Sequence, residues 1–503
     1  MDVTFAYLFD LMLAHWHITF IGVFVGILIG ATPGLTSSNS TAIMLPFILT
    51  LSPATGIIFV ISMHAGAQMG NSFPAVLLNI PGTPSAVVTT MEGYPMAVRG
   101  EASRALGICI FASVAGALIG GLVSLLTIPY LASVALKFSP VELTIVVLFG
   151  IVIIGQISSG GVWKGLLSGF FGLMVATSGP DPMWSQYRGS FGIVYLYDGI
   201  PIISCLVGLL AFSEVFNIIA NMEKKSELLQ QKISFRGMLR GMKDVLVRPV
   251  EMLRSAAIGL IVGAIPGAGA SVATPIAYQQ SMSFSSKEDR KMFGKGSVNG
   301  LMAADVTNNA MIGGAMIPLL TLALPGSSTD AILLVALSYH GLAMGPQFIS
   351  LNGDLAYAAL ISQFAAAFFI AICGLFLAYI MARVVNIRMA ILIPIIAVLS
   401  FIGGFAETQL TFGIWVMVVS GIIGFYMKKY KYVPLAFVLG LVLGGKFEAN
   451  LFRGYRLGHN SFSIFFESNI AIALWILLAL TIFLPILRGL WVKRKARLEN
   501  GGA

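Results

Sequence analysis

The sequence predicts an all-α polytopic membrane protein of two inverted structural repeats, with Gly/Pro-broken or re-entrant helices meeting near the membrane midplane. Three observations carry that expectation: an apolar excess, an internal duplication, and a loop-charge pattern that reverses between the halves. Hydrophobic residues make up 57% of the 503 and charged ones only 10%, against about 25% charged in a soluble domain. No water-soluble core absorbs that excess. About ten to fourteen segments are long and apolar enough to cross a bilayer or enter it as hairpins. The clearest are 105–136, 141–157, 200–220, 355–382 and 470–487.

The net charge of +9 does not indicate nucleic acid. The basic residues cluster in short loops and in the tail RGLWVKRKAR, as the positive-inside rule requires. The amino terminus MDVTFAYLFD lacks the basic start of a cleaved signal peptide and is expected to be retained. Cys109, Cys205 and Cys373 stand alone in apolar segments, with no spacing that suggests a disulfide, zinc or iron–sulfur site. His15, His17, His64, His340 and His459 are scattered, so no transition-metal site is expected.

The duplication comes next. GILIGATPGLTSSNSTAI, residues 26–43, is answered by GLIVGAIPGAGASVATPI, residues 259–276. GNSFPAVLLNIPGTPSAV, residues 70–87, is answered by GAMIPLLTLALPGSSTDA, residues 314–331. Gly70, Pro74, Leu78, Pro81 and Gly82 match Gly314, Pro318, Leu322, Pro325 and Gly326 in order. Duplicated Gly/Pro-interrupted segments are the sequence pattern of secondary transporters. The expected organisation is a first transmembrane repeat (1–222), a cytoplasmic connector (223–254), a second repeat (255–460), and an extra helix with a basic cytoplasmic tail (461–503).

Loop charge orients the halves. No Lys or Arg precedes Arg99, which puts the amino terminus outside, whereas the connector is rich in both. SSKEDRKMFGKG after the first motif of the second half is basic, and its counterpart LTLSPATG is uncharged. After the second motif the sign reverses: AVRGEASR carries arginines and GPQFISLNGD carries none. Halves inserted upside down give that antisymmetry. Two parallel halves are the alternative, and Lys446, Arg453 and Arg456, on the expected outer face, run against the rule.

Within a bilayer every freed backbone group needs a partner, so a Pro-Gly break survives where protein buries it or where it lines a polar cavity. Breaks are expected at Pro33-Gly34, Pro81-Gly82, Pro266-Gly267 and Pro325-Gly326. Around them lie the candidate substrate-binding residues: Thr36, Ser37, Ser38 and Asn39; Asn79, Pro81, Gly82, Thr83 and Ser85; Gly267, Ser271 and Thr274; Pro325, Gly326, Ser327, Ser328 and Thr329. Half-helix amino termini suit an anion, and carboxyl termini with freed carbonyls suit a cation. The alternative is ordinary kinking, which duplication in register disfavours. Gly22, Gly26, Gly30 and Gly34, four residues apart, read instead as a close helix-packing seam.

Asp305, Asn308, Asn309 and Asn71 are the ion-coupling candidates. An intramembrane carboxylate is a functional candidate for Na+ or H+, and Asp305 and Asn309 share one helix face. The competing reading makes Asp305 an interfacial acid at a helix end. Glu92, His340, Glu142 and Glu214 read as membrane-boundary residues. No nucleophile elbow, metalloprotease motif or phosphate loop occurs, so no catalytic residue is expected. A channel would need a continuous polar lining, and a scaffold or intramembrane enzyme stays open as the other class.

The stretches GATPGLT, LLNIPGTPSAVVTTMEGYPMA, GAIPGAGA and NNAMIGGAMIPLLTLALPGSS resemble the large membrane subunit of the tripartite tricarboxylate transporters, the TctA family. The resemblance runs from about Gly26 to about Glu448. It implies a multi-pass permease of the bacterial inner membrane that takes up carboxylates, usually with Na+. It also implies a small four-helix membrane subunit and a periplasmic substrate-binding protein as partners. The chain departs from the family pattern at Asp305-Val306-Thr307, at Met69-Gly70-Asn71-Ser72 and at Glu92, which leaves the exact carboxylate open. No cofactor beyond the coupling ion is expected.

Overall fold

The computed structural model describes residues 5–32, 35–156, 162–181, 186–220, 233–384 and 389–482. Pro33-Gly34, the first part of the connector and the basic tail lie outside the described residues. The described chain is helical apart from one antiparallel pair of two-residue strands, Gly179–Pro180 with Tyr187–Arg188. It divides into two compact units, Met1–Ala135 with Pro201–Tyr426, and Leu136–Ile200 with Met427–Ala503. Each unit therefore draws on both sequence halves.

The larger unit opens with α1 (Phe5–Ala14), α2 (Trp16–Gly30), α3 (Ser37–Ile48), α4 (Pro53–Gly70), α5 (Ser72–Leu78), α6 (Val87–Val98) and α7 (Ala102–Ala135). It resumes with α10 (Ile202–Leu206), a π-helical turn (Val207–Phe212) and α11 (Ser213–Ala220). Then come α12 (Phe235–Leu246), α13 (Pro249–Gly263), α14 (Gly269–Phe284), α15 (Lys287–Arg290), α16 (Val298–Leu322) and α17 (Ser328–Tyr339). α18 (Phe348–Leu351), α19 (Gly353–Val384), α20 (Met389–Ala406) and α21 (Thr411–Lys429) complete it.

Glycine decides which helices touch. A Cβ on Gly26 or Gly30 of α2 would strike the carbonyls of Met63 and Ala67 on α4, and one on Gly22 would stand 2.9 Å from the Phe59 carbonyl. Only glycine allows helix axes so close. In the second half, Gly259 and Gly263 of α13 press on the Thr307 and Met311 carbonyls of α16 in the same register. Gly116 of α7 meets the Val306 carbonyl, which brings α7 against α16.

Among the described residues, five helices are long and apolar enough to cross a membrane: Ala102–Ala135, Ile202–Ala220, Gly353–Met381, Thr411–Lys429 and Pro434–Leu457. Shorter apolar helices include Trp16–Gly30 and Ser328–Tyr339. α3, α6 and α17 have 12 residues each, about 18 Å of rise, too little to span a hydrocarbon core of about 30 Å.

The smaller unit holds α8 (Pro140–Gln156), α9 (Val162–Ala176) and α22 (Pro434–Leu457). Gly172 and Gly440 seat α9 on α22 by backbone approach. Val141, Ile145, Phe465 and Ala471 form a core cluster. Glu142 is buried beside it at the start of α8, where it accepts from the Ser139 amide (2.8 Å) and the Ser468 hydroxyl (2.6 Å). Arg188 of the strand pair bridges Asp181 (3.2 Å) and Glu448 (2.7 Å).

Candidate functional site

The two described second-motif breaks have the same backbone. α5 ends at Asn79 (φ 57°) and α16 at Ala323 (φ 56°), both left-handed. The Ile80 amide returns to the Pro74 carbonyl at 3.2 Å, and the Leu324 amide to the Pro318 carbonyl at 3.1 Å. Each bond reaches six residues back, one further than the six-to-one bond of a Schellman cap. Pro81 and Pro325 then bar continuation. Thr83 (φ −136°, ψ 160°) and Ser327 (φ −144°, ψ 170°) are extended, and the next helical segment follows each.

Gly82 and Gly326 are required by packing. A Cβ on Gly82 would lie 2.6 Å from Asn71 Oδ1; on Gly326 it would lie 2.8 Å from the Gly263 carbonyl oxygen and 2.6 Å from Ala315 Cβ. Protein atoms fill the space each glycine leaves.

The breaks exchange partners between halves. Ser38 at the start of α3 stands with its Oγ 3.4 Å from Thr329 Oγ1, just inside α17. Reciprocally, Thr274 Oγ1 of α14 donates to the Ser85 carbonyl at 3.2 Å. Within the second half, the Gly267 amide donates to the Pro325 carbonyl at 3.2 Å. The first motif of each half thus meets the second motif of the other.

The remaining predicted residues divide by position. Thr36 caps α3 by accepting from the Asn39 amide (3.1 Å), and Ser37 and Asn39 are buried. Thr83 and Ser85 share a hydroxyl contact of 2.8 Å. Ser327 caps α17, and Ser328 is half-buried. Asn79, Pro81 and Ser271 are exposed, so they stand outside the buried polar layer.

Asp305 lies well inside α16, buried, and not at a helix end. Its carboxylate accepts from the Ser72 hydroxyl (2.6 Å) and the Thr89 hydroxyl (3.3 Å). Asn308 Nδ2 donates to the Gln68 carbonyl and Asn309 Nδ2 to the Ala65 carbonyl, both at 3.3 Å. Gln363 Nε2 of α19 donates to the Asn309 carbonyl at 3.2 Å. The donors are used, and the acceptors are not: Asn71 Oδ1, Asn308 Oδ1, Asn309 Oδ1 and Gln363 Oε1 are buried without a hydrogen-bond partner. Unsatisfied buried oxygens of this kind are costly and are hard ligands suited to Na+.

Sequence reasoning missed three residues here. Gln363 sits in an otherwise apolar span, whose hydropathy conceals it. Asp330 forms a Ser-x-x-Asp cap with Ser327, which reads as ordinary helix chemistry. Glu92, expected at a membrane boundary, is fully buried within the protein. It accepts from Tyr278 Oη (2.6 Å) and from the amides of Gly294 (2.6 Å), Gly296 (2.8 Å) and Ser297 (2.7 Å). Arg99, also from the α6 end, donates to the Lys295 and Gly296 carbonyls. First-half residues thereby hold the loop that starts α16.

The sequence model of the "Tripartite tricarboxylate transporter TctA family" matches residues 17–439. The chain is 30% identical over 455 residues to an uncharacterized 52.8 kDa protein in the TAR-I ttuC' 3' region of Agrobacterium vitis, covering 90% of each. An uncharacterized protein in the TAR-II ttuC' 3' region of the same organism is 27% identical over 236 residues, 47% of this chain and 97% of that one. No solved structure matches.

Proposed function

This chain belongs to the tripartite tricarboxylate transporter TctA family, and on that premise we propose that it is the large permease subunit of a cation-coupled importer. Its solutes are di- or tricarboxylates or related organic anions, delivered by a periplasmic binding protein, and a small four-helix membrane subunit completes the assembly. In this reading the chain lies in the bacterial inner membrane, amino terminus periplasmic and carboxyl terminus cytoplasmic. Its halves are inverted about an axis in the membrane plane. The observation that carries the reading is the reciprocal pairing of breaks, Ser38 with Thr329 and Thr274 with Ser85. Two-fold related halves give such an exchange, and the loop-charge antisymmetry favours an axis in the plane.

Coupling follows from charge. A di- or tricarboxylate brings two or three negative charges to the midplane, where each isolated charge costs several kcal/mol. No Lys or Arg occurs between Lys295 and Arg383, or before Arg99. A helix terminus supplies about half a charge, enough to orient an anion but not to balance it. Co-transported Na+ supplies the balance, and H+ is the second choice. Asp305 contributes fixed negative charge, while the unpartnered oxygens of Asn71, Asn308 and Asn309 offer ligands.

The test is carboxylate uptake by the reconstituted subunit with its partners, under separately imposed Na+ and pH gradients. Uptake is expected to follow the Na+ gradient. Equal uptake with both gradients collapsed would replace this reading with a passive pathway.

A further inference from the structure

We propose that Asp330 is a Na+ ligand in its own right, forming a cation site at the second-half break separate from the Asp305 layer. The inference rests on the cation-coupled reading above and deepens it by assigning an ion to a residue outside that layer.

Asp330 is the third residue of α17 and is 1% exposed. Its Oδ2 is held by the Ser327 hydroxyl at 2.7 Å, and its own amide donates back to Ser327 Oγ at 3.3 Å. Its Oδ1 is buried and has no partner. A capping acid at a protein surface would leave that oxygen to water; here there is only protein around it.

Among the described residues no full counter-charge stands beside it; the amino terminus of α17 supplies only about half a charge. The helices packed closely on α17 are α3, α4, α16 and α10. Their titratable groups are His64 on α4, Asp305 on α16 and Cys205 on α10; α17 itself adds Tyr339, and none of these helices carries Lys or Arg. Among the described residues no ion pair involves Asp330.

Asp305 differs in one decisive respect. Hydroxyl donors occupy both of its oxygens, so its carboxylate is satisfied by protein. Asp330 keeps one oxygen open. Protonation would remove the charge and leave the Oδ1 hydroxyl in need of an acceptor, whereas a hard cation balances the charge and ligates that oxygen as it stands. The corresponding position of the first half is Ala86, so the site belongs to one half alone.

The experiment uses the purified full-length chain in detergent, with Na+ alone as the probe. Thermal unfolding is followed while Na+ replaces K+ at constant ionic strength, since a cation that binds the folded state raises the midpoint. Wild type should rise with Na+ and not with K+. Asp330→Asn, which keeps an acceptor for Ser327, should lose the share of the rise that this site supplies and keep the share due to the Asp305 layer. Asp330→Glu, which displaces the carboxylate by one methylene, should need about tenfold more Na+ for half its effect. This second variant decides the matter if the first does not fold. A full wild-type response in both variants would overturn the Asp330 site and leave Na+ coupling standing. A wild type indifferent to Na+ would overturn both.

Discussion

The break after α5 and the break after α16 have one backbone and two chemistries. Both use a left-handed cap, an amide bonded six residues back, a proline and an extended hydroxyl residue. Yet Asn71 faces Gly82 where Ala315 faces Gly326. Asp305 and Asp330 of the second half correspond to Ile61 and Ala86 of the first, and Glu92 of the first corresponds to Ala336 of the second. Asn79 and Pro81 are exposed, whereas Ala323 and Pro325 are buried. Duplication preserved the scaffold while the polar groups diverged. The second half holds the buried acids of the proposed ion path, and the first half holds the acid that fixes the second half's helix start.

That division predicts unequal consequences for matched substitutions. The largest belongs to Glu92→Ala. It strands one buried hydroxyl and three backbone amides, and each unsatisfied donor costs about 1–3 kcal/mol. The variant is expected to lose most folded protein, measured by detergent-stable yield, while Ala336→Ser at the matched position stays near wild type.

An intermediate effect separates the two glycines. Gly326→Ala sets a methyl against the Gly263 carbonyl, which is backbone and cannot turn away; Gly82→Ala meets the movable carboxamide of Asn71. Overpacking costs about 1–3 kcal/mol where the neighbour cannot yield. The melting midpoint should therefore fall further for Gly326→Ala than for Gly82→Ala, and equal shifts would deny the difference in surroundings. The smallest effect on folding is expected from Asp305→Asn, which keeps an acceptor for the Ser72 hydroxyl and offers its amide to the Thr89 hydroxyl, which can turn to accept it. It should raise the Na+ needed for half-maximal uptake by about tenfold while leaving the order of preferred carboxylates unchanged.

The breaks at Pro81-Gly82, Pro266-Gly267 and Pro325-Gly326 were legible in the sequence because proline, glycine and their spacing act locally on the backbone. Close packing along Gly22, Gly26 and Gly30 was legible for the same reason, since glycine at four-residue spacing leaves a flat helix face. Ala323 hid its left-handed conformation, which alanine rarely adopts and which only the match to Asn79 could have suggested. Asp330 was concealed by an ordinary capping pattern, because burial of one oxygen depends on helices far away in sequence. The contacts of Glu92 were concealed for the same reason: its partners, Tyr278 and the 294–297 loop, come from the other half. The two compact units, each drawn from both halves, also depend on long-range packing that no local pattern records.

The central claim is that the two halves are inserted upside down around their exchanged breaks. Ser52 and Ser286 test it most directly, because they occupy corresponding loops after the first motif of each half and both are exposed. Single cysteines there, in a background lacking Cys109, Cys205 and Cys373, are probed with a membrane-impermeant thiol reagent from each side of the membrane. The account predicts labelling of Ser52→Cys from the periplasm and of Ser286→Cys from the cytoplasm; labelling of both from the same side would contradict it.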